Sequence, residues 1–121
     1  GGADKARKQE FAFLVEKAKE IRNNAMRQVE QEVRLSWVAY ETLLNQMSTL
    51  DAHVKDSQST KSAYLDQFDL GRRTLLDLLN TETESVNAQQ ALITAQYDVI
   101  YNEYRIFHGM GDLMYMVGAK I

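Results

Sequence analysis

The chain has 121 residues, 45% of them apolar and 26% charged, proportions that are ordinary for one folded domain. Its formal charge of −3 excludes a general polyanion binder, because affinity for phosphate backbones needs a concentrated basic surface, so nucleic acid is not an expected partner. The absence of cysteine excludes disulfides, thiolate catalysis and cysteine-ligated zinc. No stretch has the ~20 apolar residues that a membrane-spanning helix needs.

Residues from about 3 to 70 are predicted to form one long helix. This stretch contains neither proline nor glycine, the residues that most often interrupt a helix. Side chains of mainly apolar type recur every seven residues, with companions four residues later, as in a coiled coil. The main series is Met26, Val33, Tyr40, Met47, Val54 and Phe68, and the companions are Trp37, Leu44 and Leu65. Lys61 interrupts the main series, so the predicted seam has an imperfect register.

A turn is predicted at about 71–73, within the segment QFDLGRRTLLDLLN. Gly71 is the only glycine between Ala3 and His108, and glycine suits the left-handed position that closes a helix. Thr74 and Asp77 have the spacing of a capping box, in which the two side chains bind free N–H groups at the start of a helix. The segment therefore predicts a reversal of the chain followed by a second helix.

The second helix is predicted over about 74–108. Its expected seam combines two heptad series, Leu79, Val86, Ile93, Ile100 and Phe107 with Leu76, Thr83, Gln90, Tyr97 and Tyr104. Gly109 and Gly111 are expected to end this helix at about His108, leaving 109–121 as a short tail of undecided structure. The fold class expected is all-α, a long antiparallel helical hairpin of coiled-coil type.

Pairing the two predicted helices from the turn leaves the start of the chain uncovered. Residues before about Arg34 find no partner in the shorter second helix. They nevertheless include several large apolar side chains, Phe11, Phe13, Leu14, Val15, Ile21, Met26 and Val29. Because such a stripe is normally buried, other chain segments or other subunits are expected to cover it. The start of the chain without methionine likewise suggests a piece of a larger protein.

Catalytic and metal-binding chemistry finds little support in the residues. His53 and Asp56 share a helix face and could form a weak metal pair, but a solvated polar face is the simpler interpretation. His108 is expected to complement the carbonyl end of the second helix. Asp77 has two compatible interpretations, a helix cap and a member of an acidic ring in an oligomer. The sequence predicts no enzyme, no cofactor and no metal site.

The turn also carries a family pattern: aromatic, any residue, aliphatic, Gly, any residue, Arg, Thr, two aliphatics, Asp, aliphatic, Leu, then Asp or Asn. The matching residues are Phe68, Leu70, Gly71, Arg73, Thr74, Leu75, Leu76, Asp77, Leu78, Leu79 and Asn80. The stretch NAQQALITAQYDVIYNEYRI resembles the returning helix of the same family, and GMGDL resembles its closing motif. The opening GGADKARKQE and the stretch QVEQEVRLSWVAYE resemble its long helix. The chain thus resembles the second-repeat hairpin of TolC-family outer-membrane efflux and secretion proteins.

This resemblance implies a fragment of a trimeric α-barrel, in the periplasmic portion of a Gram-negative outer-membrane protein. The implied partners are two further copies in a homotrimer, a periplasmic adaptor (membrane fusion) protein and an inner-membrane transporter. The carried-over gate or constriction residues are Arg73, Asp77 and Asn80, and the adaptor-docking tip is Leu70, Gly71 and Arg72. Because some members carry a second acid where this chain has Asn80, the implied ring of charge is weaker here.

Heptads alone also fit a coiled-coil scaffold or adaptor protein that self-associates through its hairpin. The turn favours the channel, because a scaffold needs a glycine and a cap but has no need of an arginine four residues before an aspartate. The phrase GRRTLLDLLNTETE leans towards type I protein secretion rather than drug efflux. The cargo is not encoded in any residue pattern of the chain.

Overall fold

Two long α-helices and one tight turn make up the described structure. The structure, a computed structural model, describes residues 1–118. Helix α1 spans Gly2–Asp69 and helix α2 spans Leu75–Met116, and the described residues contain no strand. The predicted all-α hairpin is confirmed. Because no proline or glycine interrupts α1 between Ala3 and Asp69, its backbone hydrogen-bond ladder is continuous, as its sequence predicts.

The predicted end of the second helix at His108 was wrong. Helix α2 continues through Gly109 and Gly111 to Met116, and the chain then reaches Gly118 with a φ of 79°. Glycine inside a helix costs only about 1 kcal/mol relative to alanine, which packing readily offsets. Gly109 is buried, and a Cβ placed on it would overlap the Cγ2 of Val33. The close approach of the helices there favours a glycine. Residues 119–121 of the predicted tail lie outside the described part.

Residues 38–103, which include the turn, form one compact unit. Its most buried residues are small or polar: Ser57, Thr81, Ser85, Ala88, Ala95 and Asn102. Several of the polar ones satisfy themselves locally, as Thr81 does by donating to the carbonyl of Leu78 at 2.7 Å and Asn102 to that of Asp98 at 2.9 Å. Small side chains that make their own hydrogen bonds let the two helices approach without leaving a polar atom unpaired.

Two polar contacts join α1 to α2 within this unit. Lys61, the residue that interrupts the heptad series, forms an ion pair with Glu82. Tyr40 forms a hydrogen bond with Glu103. The pKa of the Tyr40 phenol is raised, mainly by desolvation and further by the charge and the hydrogen bond of the Glu103 carboxylate. Both contacts bridge the two helices, so the residue that interrupts the heptad series makes a polar contact across the hairpin.

Residues 1–37 and 104–118 form the other compact unit. Ser36, Ile106 and Gly109 are buried in it, and Val29 and Val33 are half-buried. The uncovered part of α1 is therefore shorter than the sequence predicted, because α2 reaches Met116 rather than His108. Four large side chains nearer the start of the chain stay more than half exposed, namely Phe11, Phe13, Leu14 and Ile21.

Helix α2 carries two faces with heptad spacing, and the face expected to meet α1 is exposed. The covered positions, called the inner series below, are Leu78, Thr81, Ser85, Ala88, Leu92, Ala95, Val99, Asn102, Ile106, Gly109, Leu113 and Met116. The predicted seam, called the outer series below, is Leu76, Leu79, Thr83, Val86, Gln90, Ile93, Tyr97, Ile100, Tyr104 and Phe107, and all of it is exposed. The prediction was wrong because apolar bulk was taken as the sign of the contact face, whereas small residues give the closer helix contact.

The main heptad series of α1 was predicted more successfully. Its members from Met26 to Val54 are half-buried, as a seam position should be in a two-helix unit. Its last member, Phe68, is 37% exposed, and the companions Trp37, Leu44 and Leu65 are about half exposed. Helix α1 therefore also has an apolar face beyond the one that it turns to α2.

Candidate functional site

The turn that ends α1 is built around Gly71. The predicted left-handed conformation of Gly71 is confirmed by its φ of 74°. Glycine adopts this conformation at the lowest cost of any residue. The N–H of Arg72 donates to the carbonyl of Gln67 at 2.8 Å, and that of Gly71 donates to the carbonyl of Phe68 at 2.9 Å. This pair of bonds is a Schellman motif, which satisfies the last carbonyls of a helix. A Cβ on Gly71 would meet nothing within 4 Å, so only backbone conformation selects glycine here.

The predicted capping box at the start of α2 is confirmed. The backbone N–H of Thr74 donates to Asp77 Oδ2 at 3.0 Å, and the N–H of Asp77 donates to Thr74 Oγ1 at 3.1 Å. The bond from the Thr74 backbone is the main reason why the pKa of Asp77 is lowered; desolvation opposes it, while the Thr74 hydroxyl and the charge of Arg73 add to it. Asp77 is therefore a charged helix cap at neutral pH, and the acid that α2 presents at the turn.

Arg73 is turned back onto α1. Its Nε donates to Gln67 Oε1 at 2.6 Å, and its guanidinium carbon lies 3.9 Å from the centre of the Tyr64 ring. In the described part of the chain Arg73 forms no ion pair with Asp77 and acts on that carboxylate only through longer-range attraction. The sequence analysis did not predict the roles of Tyr64 and Gln67. Their spacing of three residues places both on one face of the last turns of α1, and the returning chain must cross that face.

The remaining predicted site residues surround these contacts. Leu70 is 70% exposed, and Arg72 is exposed beside it, so the two present an apolar and a basic side chain at the end of the hairpin. Leu75 and Leu76, which the sequence analysis did not assign to the tip, are exposed by 62% and 65%. The tip therefore offers more apolar surface than the family pattern alone indicated.

Asn80 lies one turn after Asp77 on α2 and is exposed. It lines a shallow groove together with His53, Thr83, Glu84 and Asn87. A second groove, beside the Lys61–Glu82 ion pair, is more apolar and is lined by Leu65, Leu78 and Leu79. Asn80 and Asp77 thus share a side of α2 near the turn, while Arg73 is held against α1.

The two histidines do not form a metal centre with other described residues. No group of three or more potential ligands lies together in residues 1–118, so the weak pair at His53 and Asp56 gains no third ligand. His108 lies within the helix rather than at its end, which corrects its predicted role. It stacks on Tyr104 with ring centres 5.7 Å apart and lies 3.4 Å from Asp112. Neither described helix is long and apolar enough to cross a membrane.

Comparison with known proteins identifies three relatives. The chain is 30% identical over 96 residues to the outer membrane protein TolC of Escherichia coli and 29% identical over 96 residues to TolC of Salmonella enteritidis. Both alignments cover 79% of this chain and 20% of the relative. It is 25% identical over 85 residues to the outer membrane efflux protein BepC of Brucella suis biovar 1, covering 70% of the chain and 19% of that protein.

No protein-family model and no solved structure matches the chain. The chain spans about a fifth of the length of the curated relatives that it matches. The relatives are nevertheless consistent in kind, since all are named as outer-membrane proteins, and their similarity extends over most of the chain. Together with the turn motif and the helical hairpin, these matches support the interpretation of the chain as a TolC-family fragment.

Proposed function

We propose that this hairpin is a periplasmic wall segment of a trimeric outer-membrane export channel and that its turn forms the gate. The carrying observation is the outer series of α2, a second heptad face that the chain leaves exposed. A helix with two heptad faces needs neighbours on two sides, which a ring of helices provides and an isolated hairpin does not. Further hairpins of the same channel would cover this face.

At the turn, Arg73, Asp77 and Asn80 would form the constriction. The pKa of Asp77 is lowered, so its carboxylate is charged at neutral pH and is available to a cation from a neighbouring hairpin. One exposed ion pair contributes only about 0 to 1 kcal/mol, but a trimer repeats each link three times at a narrow, shielded tip. Such a sum is on the order of the few kcal/mol that keep a two-state gate mostly closed.

The outermost residues of the turn would dock a periplasmic adaptor. Leu70 is the most exposed apolar residue of this tip, and Arg72 and Gly71 lie beside it. An exposed leucine beside an arginine suits a partner that offers an apolar groove with an acidic rim. An inner-membrane transporter would then deliver cargo through the adaptor. The relatives bear the names TolC and efflux protein, which support transport rather than catalysis as the role of this chain.

The gate is tested by resting conductance of the full-length trimer in planar bilayers. Arg73→Ser should raise it by roughly tenfold or more, because three links are lost together. Arg73→Lys should raise it less, since the charge survives although the planar fork is lost. Arg72→Ser is the matched control: its side chain is the neighbouring arginine, and without an adaptor present it should leave conductance unchanged.

Two outcomes would contradict this assignment. Equal conductance of the parent and Arg73→Ser, with both trimeric, would show that Arg73 does not hold the gate closed. A full-length protein that inserts no channel at all would favour the self-associating scaffold. The variant Asp77→Asn tests the charge of Asp77 separately from its role as a helix cap. The amide keeps an acceptor for the Thr74 N–H but removes the charge.

A further inference from the structure

Two residues of α1 fix the position of the Arg73 guanidinium. Gln67 Oε1 accepts its Nε–H at 2.6 Å, and the Tyr64 ring lies 3.9 Å beneath its central carbon. Gln67 is itself held in place, because its backbone carbonyl accepts the Arg72 N–H of the Schellman motif. Tyr64 and Gln67 are three residues apart on one helix face and are both half-buried. The guanidinium therefore rests on a platform that is part of the helix end.

This arrangement leaves a defined part of Arg73 for other contacts. The Nε–H and one face of the guanidinium are occupied, whereas the two terminal amino groups have no acceptor among the described residues. Those two groups form the edge that matches a carboxylate with two parallel hydrogen bonds. Asp77 does not take this edge, since one of its oxygens accepts the Thr74 N–H and no ion pair with Arg73 forms in the described chain.

We infer that Tyr64 and Gln67 are positioning residues that hold Arg73 ready for a carboxylate supplied from outside this hairpin. The inference rests on the proposed gate and explains why Arg73 can form a stable link to a neighbouring hairpin there. A long side chain normally loses rotamer freedom when it forms an ion pair. Here that freedom is already lost in the isolated hairpin, so the link to a neighbouring hairpin forms at lower entropic cost.

The platform also makes a chemical distinction between arginine and lysine. A planar guanidinium can lie flat on a tyrosine ring and donate sideways from Nε at the same time. A lysine ammonium has three donors at one point but no plane, so it cannot lie flat on Tyr64, donate sideways to Gln67 and keep a paired edge for a carboxylate at the same time. The platform therefore accounts for the higher resting conductance expected of Arg73→Lys relative to the parent.

A double-mutant cycle in the full-length trimer tests the inference through resting conductance in planar bilayers. Tyr64→Leu should raise conductance, though by less than Arg73→Ser does, because each of the three arginines must then lose rotamer freedom when it forms its link. Tyr64→Phe keeps the ring and should match the parent. In an Arg73→Ser background, Tyr64→Leu should add nothing, because the group that Tyr64 positions is absent. Gln67→Met, which keeps the size but removes the acceptor, should follow the same pattern and serves if Tyr64→Leu does not assemble.

An equal rise in both backgrounds would overturn the inference, since Tyr64 would then act on the fold rather than on Arg73. No rise in the parent background would overturn it as well. Should Arg73→Ser itself leave conductance unchanged, the proposed gate fails, and side-chain density decides the platform separately. In cryo-electron microscopy maps of the full-length trimer, Arg73 should lie against the ring in the parent and in Tyr64→Phe and leave that position in Tyr64→Leu. An Arg73 that keeps its position without the ring would refute the positioning role.

Discussion

The two faces of α2 differ in what fills them and in what covers them. The inner series is dominated by small residues at its most buried positions, such as Ser85 and Ala88, each 2% exposed. The outer series, offset by two positions along the same helix, carries Val86 and Ile93, exposed by 48% and 51%. The larger apolar side chains are thus on the side that the chain itself leaves uncovered.

This difference shows that close helix approach and apolar burial are separate requirements. Serine and alanine contribute little transfer free energy but allow a short distance between helix axes, which brings many backbone atoms into contact. Leucine, isoleucine and tyrosine contribute more on burial, at about 25 cal/mol per Å² of apolar surface, but only once a partner covers them. In this chain the hairpin uses the first face, and the second remains for assembly with other helices.

The largest expected effect is on the inner series. Ser85→Leu should lower the free energy of unfolding by about 2 to 3 kcal/mol, because a long side chain at a 2% exposed position must push the helices apart. The neighbouring outer substitution Val86→Leu is the control and should change it by less than about 0.5 kcal/mol. Urea unfolding of the 121-residue chain, followed by circular dichroism at one fixed concentration, measures both. Comparable losses for the two variants would remove the distinction between the faces.

Two glycines of α2 should respond in opposite directions to the same substitution. Gly109→Ala introduces a Cβ that overlaps Val33, and should cost about 1 kcal/mol net after the gain in helix propensity. Gly111→Ala meets nothing within 4 Å and should stabilise by about 0.5 to 1 kcal/mol. Thermal unfolding of the two variants side by side gives the sign directly. Stabilisation by both would show that the helices do not approach closely at Gly109.

The smallest effect on unfolding is expected at the outer series, where a different property should change. Ile93→Ser removes a half-exposed apolar side chain and should lower the unfolding free energy by about 0.5 kcal/mol or less. Self-association of the chain should fall, because the outer series is the surface that copies would bury against one another. Sedimentation equilibrium measures the association, with the exposed neighbour Thr94→Ser as the control. A parent chain that stays monomeric at high concentration would contradict this prediction.

The sequence by itself determined the local structure of the hairpin. A long run without proline or glycine predicted α1, the lone Gly71 predicted the left-handed turn, and the spacing of Thr74 and Asp77 predicted the capping box. These features depend on backbone sterics and on hydrogen bonds between residues at most a few positions apart. Such interactions are encoded where they occur, so a single sequence suffices to predict them.

Tertiary structure alone decided which face of α2 meets α1, how far α2 extends and where Arg73 points. Periodicity gives two heptad faces on α2 and cannot rank them, since the choice depends on how closely the opposing helix can approach. Gly109 has the same local propensity as a helix-ending glycine, and only Val33 on the other helix gives it a place inside α2. The Arg73 side chain has several ways to satisfy its charge, and the returning chain brings Tyr64 and Gln67 within reach before any partner. Each of these outcomes depends on contacts between residues far apart in sequence, whose distances no local pattern contains.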